Sequence, residues 1–453
     1  MNIVVVGCGK IGTTIVTSLV KEGHNVVAID RDSAVLNRLT DVYDVMSICG
    51  NGADSDVLQE AGIKKVDLFA AVTGSDDTNM LCCFMAKRMG VPYTIARVRN
   101  PEYNDNSLSF MRQQLGLSMA INPDLLAAKE LYKLLKLPTA VKVETFSRGN
   151  FEMIELRVKE GSALAGVSLR QLRETYQAKF LVGVVQRGED VYIPDGNFVL
   201  QSGDKIGLTA NIHEMQKLLR QMGLATKQAR NVILLGGSRT AYYLAKMLIV
   251  GGNSVKIIER DSALCQELCE ALPKAVIIHG DGAQQELLLQ ESLPEHDAFV
   301  ALTGMDEENI LISIFASSLN VPKVIAKVNR DELATLAEKL GLDSIVSPQK
   351  IVTDIVLRYA RALQNSMGSN VETLYQLMDG KAEALEFNVS PDFAKSQVPL
   401  KELKLLPNLL IAGIIRDRKT VIPAGDDTIQ AGDRVIVLAA NRHLQDLSDI
   451  LAE

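Results

Sequence analysis

The chain is written twice. NIVVVGCGKIGTTIVTSLVKEGHNVVAIDRD at 2–32 returns as NVILLGGSRTAYYLAKMLIVGGNSVKIIERD at 231–261. AAVTGSDDTNM at 70–80 returns as VALTGMDEENI at 300–310, and LGLSMAINP at 115–123 as LGLDSIVSP at 340–348. A second similarity joins VYIPDGNFVLQSGDKIGL at 191–208 to TVIPAGDDTIQAGDRVIVL at 420–438. Four modules follow, in the order A-B-A′-B′. Their expected bounds are 1–122 and 230–348 for the A units, and 141–225 and 368–453 for the B units, with helical connections at 123–140 and 349–367.

Within the first A unit, the short apolar runs Ile3–Val6, Val26–Ile29, Val45–Ile48, Leu68–Val72 and Thr94–Val98 alternate with amphipathic stretches of helical length. That pattern predicts buried parallel strands in a doubly wound α/β sheet of Rossmann-like form. The B units read differently. MIELRV (153–158) and VGVVQRGEDVYIP (182–194) have period 2, the latter broken by a hairpin turn at Arg187–Asp190, so a small α+β module is expected. Each connection follows a proline, which suits a first helical turn. The second, Pro348–Gln364, carries Ile351, Ile355, Tyr359 and Leu363 beside Val352, Val356 and Ala360. Such a stripe packs either on its own domain or on another repeat or subunit.

Bulk properties exclude several roles. With 48 Lys and Arg against 55 Asp and Glu, the net charge of −7 argues against a nucleic-acid partner. The six cysteines form no CxxC pair, which fits a reducing cytoplasm. The first strand follows Met1 so closely that no cleavable leader is expected. No run reaches the ~18 apolar residues of a membrane span, so any membrane role runs through a partner.

Gly7-Cys8-Gly9-Lys10-Ile11-Gly12 fits G-x-G-x-x-G directly after a strand and at the start of a helix. Gly7 permits the tight turn, Gly9 lets the backbone approach a pyrophosphate, and Gly12 lets helix and strand pack closely. Asp30 ends the next strand, where a carboxylate accepts hydrogen bonds from an adenosine ribose; its alternative role is at the start of the following helix. Beside Asp30 a 2′-phosphate would be repelled, so NAD(H) or an adenine nucleotide is favoured over NADP(H). Asn51 is placed to read adenine or ribose. Thr73 and Gly74 either line the ligand path or form an ordinary strand-to-helix turn. Arg97, on an apolar strand, needs an anionic ligand or an acid such as Asp76.

This combination resembles the RCK (KTN) family of potassium-transport regulators across essentially the whole chain. The resemblance rests on GCGKIG…ID, GNGAD, AVTGSDDTNM, ARVRNPEY and the paired IPDG…SGD and IPAG…AGD segments. It implies Rossmann-like nucleotide-binding A units and smaller regulatory B lobes. It also implies dimers assembling into rings that gate a membrane-embedded Trk-type potassium transport subunit from the inner face of the plasma membrane, under control of NAD(H) or ATP/ADP. By position, the first site is Gly7 to Ile11, Asp30, Asn51, Thr73, Gly74 and Arg97. The second comprises Gly236, Gly237, Ser238, Arg239, Thr240, Glu259, Thr303, Gly304 and Lys327. Here Ser238 replaces the glycine of closest approach and Ala241 the packing glycine; a Cβ at 238 works against a pyrophosphate while Arg239 is placed to attract one, so occupancy of this second site stays open.

The alternative is an NAD-dependent oxidoreductase with a duplicated cofactor domain, which needs an acid or base beside the nicotinamide. His24, His213, His279, His296 and His443 form no HxxxH or HExxH pattern, and only His279 falls near a strand end. Neither paired cysteines nor the turn acids Glu189-Asp190 and Asp426-Asp427 make a convincing metal site. A regulatory, non-enzymatic sensor is the favoured reading.

Overall fold

A computed structural model describes the backbone of every residue except 102, 104, 147–150, 225–227, 366–370, 418, 443, 445 and 453, and the side chains of the rest apart from 105–108, 145, 212, 365, 371–374 and 379. The first A unit is a parallel sheet of Asn2–Val6, Asn25–Asp30, Met46–Cys49, Leu68–Ala71, Tyr93–Arg97 and Met119–Ile121. Counted along the unit, the strands lie in the order 3-2-1-4-5-6. The second unit repeats that order with Asn231–Leu235, Ser254–Glu259, Val276–His279, Ala298–Ala301, Lys323–Lys327 and Ile345–Val346. The order in which strands are added reverses between strands 1 and 4, which run parallel, and this opens a crevice at their carboxyl ends. The sixth strand, Met-Ala-Ile in the first unit, is too short to show a period in the sequence.

Each B unit is a five-stranded antiparallel sheet, Lys142–Phe146 to Lys205–Ala210 in one and Val371–Leu377 to Arg434–Ala440 in the other. The expected hairpin is present: Arg187 pairs with Asp190, leaving Gly188-Glu189 as a two-residue turn with Gly188 at φ +60°. The two sheets bury a common core in which Phe146, Phe151 and Val184 meet Ala384, Ala412 and Leu438.

The linking helices are exchanged. Pro123–Lys136, capped by the Asn122 side chain on the Leu125 N–H, buries Ala128, Leu131 and Leu135 in a core shared with Ala241, Leu244, Ala245 and Leu248 of the second A unit. In return, Pro348–Asn365 sets Val352, Val356 and Ala360 against Ile15, Val16 and Leu19 of the first. The apolar stripe seen in the sequence thus crosses between repeats, and alanines on both helices let the backbones approach.

At the edge of this junction Lys323, 5% exposed, donates through Nζ to the Ala140 carbonyl (2.8 Å) and the Ser344 hydroxyl (2.7 Å). Asp343 beside it is held by Arg157 at 2.8 Å. Burial pulls the Lys323 pKa down to about 7, against the partial counter-pull of Asp343.

Leu131→Ala should cost about 2–5 kcal/mol and lower the thermal midpoint, while the exposed Lys129→Ala stays within about 0.5 kcal/mol. Between pH 7 and roughly 10, the unfolded chain holds a proton on Lys323 that the folded chain lacks, so this group makes stability rise with pH. Denaturant titrations across that window should show a flatter rise in Lys323→Met.

Candidate functional site

A cavity of 790 Å³ opens at the carboxyl ends of the first sheet. Gly7, Gly9, Lys10, Ile11, Asp30, Asn51, Thr73, Gly74 and Arg97 all line it; Cys8 and Gly12 stand behind the loop. Gly7 adopts φ +90°, and a Cβ there would lie 2.7 Å from Thr73 Cα. A Cβ on Gly12 would lie 1.8 Å from the Gly7 carbonyl oxygen, so both glycines are required by close packing. Gly9 differs. Its Cβ position is empty to 4 Å, and as N-cap of Lys10–Lys21 it offers no side-chain acceptor, so the first helical N–H groups face the cavity uncapped.

Asp30 holds the loop: the Cys8 N–H donates to its Oδ2 (2.5 Å) and the Asp32 N–H to its Oδ1 (2.9 Å). The cap of the following helix is Asp32, through the Ala34 N–H, which leaves Asp30 at the cavity wall. The Cys8 thiol is buried against the Ile29 carbonyl. Burial, with the Asp30 charge adding, pushes its pKa up to about 12 and keeps it protonated.

The sequence reading missed Asn79. Fully buried, it accepts from the Thr73 N–H and hydroxyl (both 2.7 Å) and donates to the carbonyls of Thr73 (3.2 Å) and Arg97 (2.9 Å). Asn309 makes the same four bonds to Thr303 and Lys327. The signal was available: this asparagine recurs at the same place in TGSDDTN and TGMDEEN. The Thr73 side chain accordingly belongs to the turn, while its residue still lines the cavity.

Arg97 is 9% exposed and donates through Nη2 to the Thr73 carbonyl, but its Nε has no partner. The ion pair with Asp76 is not formed, because the Asp76 carboxylate accepts the N–H groups of Arg99 and Asn100 (both 2.8 Å). Burial, and then the neighbouring Arg99, lower the Arg97 pKa.

The second set of residues is divided between the first cavity and its surroundings. Thr240 and Lys327 turn into the first cavity with Asn329 and Gln349, whereas Gly236, Gly237, Ser238, Arg239, Glu259, Thr303 and Gly304 lie outside its lining. Asp124 ties the two units, pairing with Arg99 (2.8 Å) and accepting from the Thr240 hydroxyl (3.1 Å). The Gly237 N–H donates to Glu259 as Cys8 does to Asp30. Ser238 does more than place a Cβ: its hydroxyl accepts the Ala241 N–H, capping the helix end that Gly9 leaves open. His279 Nε2 is 3.1 Å from the Arg260 carbonyl, and His443 lies outside the described residues. Among the described residues, no group of His, Cys, Asp and Glu is arranged to hold a metal, and no helix is long and apolar enough to cross a membrane.

The TrkA-N domain family matches residues 3–123 and 232–348, and the TrkA-C domain family 153–223 and 386–452. The chain belongs to the TrkA family. The Trk system potassium uptake protein TrkA homolog of Archaeoglobus fulgidus is 33% identical over 99% of this chain and 100% of its own. The Haemophilus influenzae Trk system potassium uptake protein TrkA is 28% identical over 98% and 96%. Among solved structures, the GsuK channel covers 97% of this TrkA-family chain and 76% of its own at TM-score 0.64 and 17% identity. The GsuK channel bound to NAD matches at TM-score 0.62 and 18% identity, with the same coverage of both chains. At these identities the structures show a common fold of RCK type.

Asn79→Ala strands the buried Thr73 N–H and takes the amide donor from the Arg97 carbonyl, so it should destabilise the first unit by about 1–3 kcal/mol. The thermal midpoint of the variant measures this.

Proposed function

We propose that the first A unit binds an adenine nucleotide, NAD(H) or ATP/ADP, as a signal rather than as a substrate. The observation that carries this reading is Arg97: a buried guanidinium with an unpartnered Nε at the wall of a cavity into which an uncapped helix N-terminus also points. Both features await an anion. Lys10, Arg31, Arg97, Arg99 and Lys327 line the cavity against the acids Asp30 and Asp124, and its volume suits a nucleotide. In the second unit the Ser238 cap leaves a poorer anion site. Occupancy is proposed for the first site.

We further propose that the chain is the non-enzymatic regulatory subunit of a Trk-type potassium transporter. It would work in the cytoplasm at the inner face of the plasma membrane and gate the membrane-embedded subunit by changing the angle between its A units. Kinship to Trk system potassium uptake proteins supports the partner. No histidine, cysteine or tyrosine lines the cavity among the described residues, which removes the usual acid–base candidates for hydride transfer other than lysine. Leu81 and Leu311, 51% and 65% exposed at equivalent positions of Asp76–Arg88 and Asp306–Ser318, support assembly into a homo-oligomer.

Calorimetry on the full chain should show NADH, NAD, ADP or ATP binding. Arg97→Gln should weaken binding of the preferred nucleotide at least tenfold, about 1.5–3 kcal/mol for a charged hydrogen bond. Asp30→Ala should weaken every adenosine ligand. Wild-type affinity in both variants, or robust turnover of NADH with carbonyl acceptors, would overturn the proposal.

A further inference from the structure

The helix that begins at the glycine loop ends in an ion cluster that joins three parts of the molecule. Lys10–Lys21 runs about 18 Å from Gly9 to its C-cap, Glu22. The Glu22 carboxylate takes both faces of the Arg361 fork: Arg361 Nε donates to Oε2 at 2.7 Å and Nη2 to Oε1. Arg361 belongs to the exchanged helix Pro348–Asn365. Its Nη2 also reaches Glu383 Oε1, 3.2 Å away, on strand Ala382–Asn388 of the second antiparallel sheet. The three side chains are 18%, 14% and 5% exposed in the order Glu22, Arg361, Glu383.

The other half lacks this connection. Aligning the repeats puts Gly251 at the place of Glu22 and Lys136 at that of Arg361. Gly251 has no side chain, and a Cβ there would meet the Tyr132 hydroxyl at 2.9 Å. Lys136 lies over the Tyr132 ring, 4.6 Å from its centroid. The ion cluster is therefore built only behind the glycine loop that has kept Gly9 and Gly12, and is missing behind the loop altered to Ser238 and Ala241.

From this placement we infer that Arg361 is the coupling residue through which ligand at the first A unit acts on the second antiparallel lobe. The inference rests on the nucleotide reading of the first site. A buried ion cluster is a weak source of net stability compared with apolar packing of the same volume, but it is stiff: separating one member leaves a buried charge unpaired. A bidentate guanidinium also fixes orientation in a way a lysine does not. A displacement of the helix at its loop end must therefore carry Arg361 and Glu383 with it. Because the second sheet shares its core with the first, the displacement reaches both lobes.

The test uses the full chain. Calorimetry with NADH and ATP measures binding, and amide hydrogen exchange of 382–388 with and without saturating ligand measures coupling. In the wild type, ligand should change the exchange rates of this strand. Arg361→Gln and Glu22→Gln should keep ligand affinity within about threefold yet lose that ligand-dependent change, and Lys136→Gln should retain it. Should Arg361→Gln fail to fold, Glu22→Gln, which leaves Arg361 with Glu383, decides the matter. A thermal-midpoint loss alone, with the ligand-dependent exchange change intact in Glu22→Gln, would reduce the cluster to a structural role and overturn the inference. Wild-type binding without any response in 382–388 would overturn it equally. Absence of binding in calorimetry would instead refute the nucleotide reading, and the coupling with it.

Discussion

The exchange of the two linking helices is the constraint from which the rest of the architecture follows. Each helix buries its apolar stripe on the first helix of the opposite A unit, with Leu131 and Leu244 in one core and Val356 and Val16 in the other. Burial of this kind contributes about 1.5–3 kcal/mol per large side chain and has no directional preference, so specificity comes from the pattern of small and large residues along the stripe. With the helices crossed, the A units cannot drift apart as beads on a string. Their facing edges form one cavity with contributions from both, and the antiparallel sheets that follow are brought core to core.

Within that nearly symmetric frame, single residues divide the labour between the halves. Gly9 leaves a helix end open where Ser238 closes it. Ile11 is replaced by Thr240, whose hydroxyl reaches across to Asp124 of the other unit. Tyr93, edge-on to Tyr359 at 6.3 Å, stands where the second unit has Lys323, which seizes the Ala140 carbonyl. In each pair the backbone is alike and the side-chain chemistry is not. Duplication has preserved a fold that needs two units to close while the side chains of the two loops have diverged.

Much of this was legible in the sequence because the deciding signals are local or repeated. A β-branched run followed by G-x-G-x-x-G specifies strand, turn and helix within a dozen residues, and Asp30 falls at the strand end where register puts it on the cavity wall. The repeat itself revealed the pairing of sites. What stayed hidden is tertiary. The acid that approaches Arg97 in the sequence, Asp76, is diverted to the N–H groups of Arg99 and Asn100, a competition between acceptors that only coordinates display. The destination of the 348–364 stripe was ambiguous because an amphipathic face specifies that it is buried and not where. Asn79 was overlooked because a buried amide serving three backbone groups and a hydroxyl looks, in sequence, like any polar residue on a helix.

On the nucleotide reading, the shared cavity gives binding at one loop a route to the other unit. Ligand shifts a conformational equilibrium only by its difference in affinity for the two states, and a tenfold difference amounts to about 1.4 kcal/mol. Contacts to the glycine loop and Asp30 lie within the first unit and reach the rest of the molecule through the helix that begins there, so by themselves they do not sense how the two units are inclined. Thr240, Lys327 and Asn329 belong to the second unit, and their distance from anything held at Gly9 depends on how the two units are inclined. On the nucleotide reading, the loop therefore supplies affinity and the opposite wall supplies the dependence on shape. The Lys327 ammonium illustrates the division. Burial lowers its pKa, and among the described residues its Nζ donates to the neutral Leu302 carbonyl, so an anion brought within reach relieves an electrostatic cost of burial.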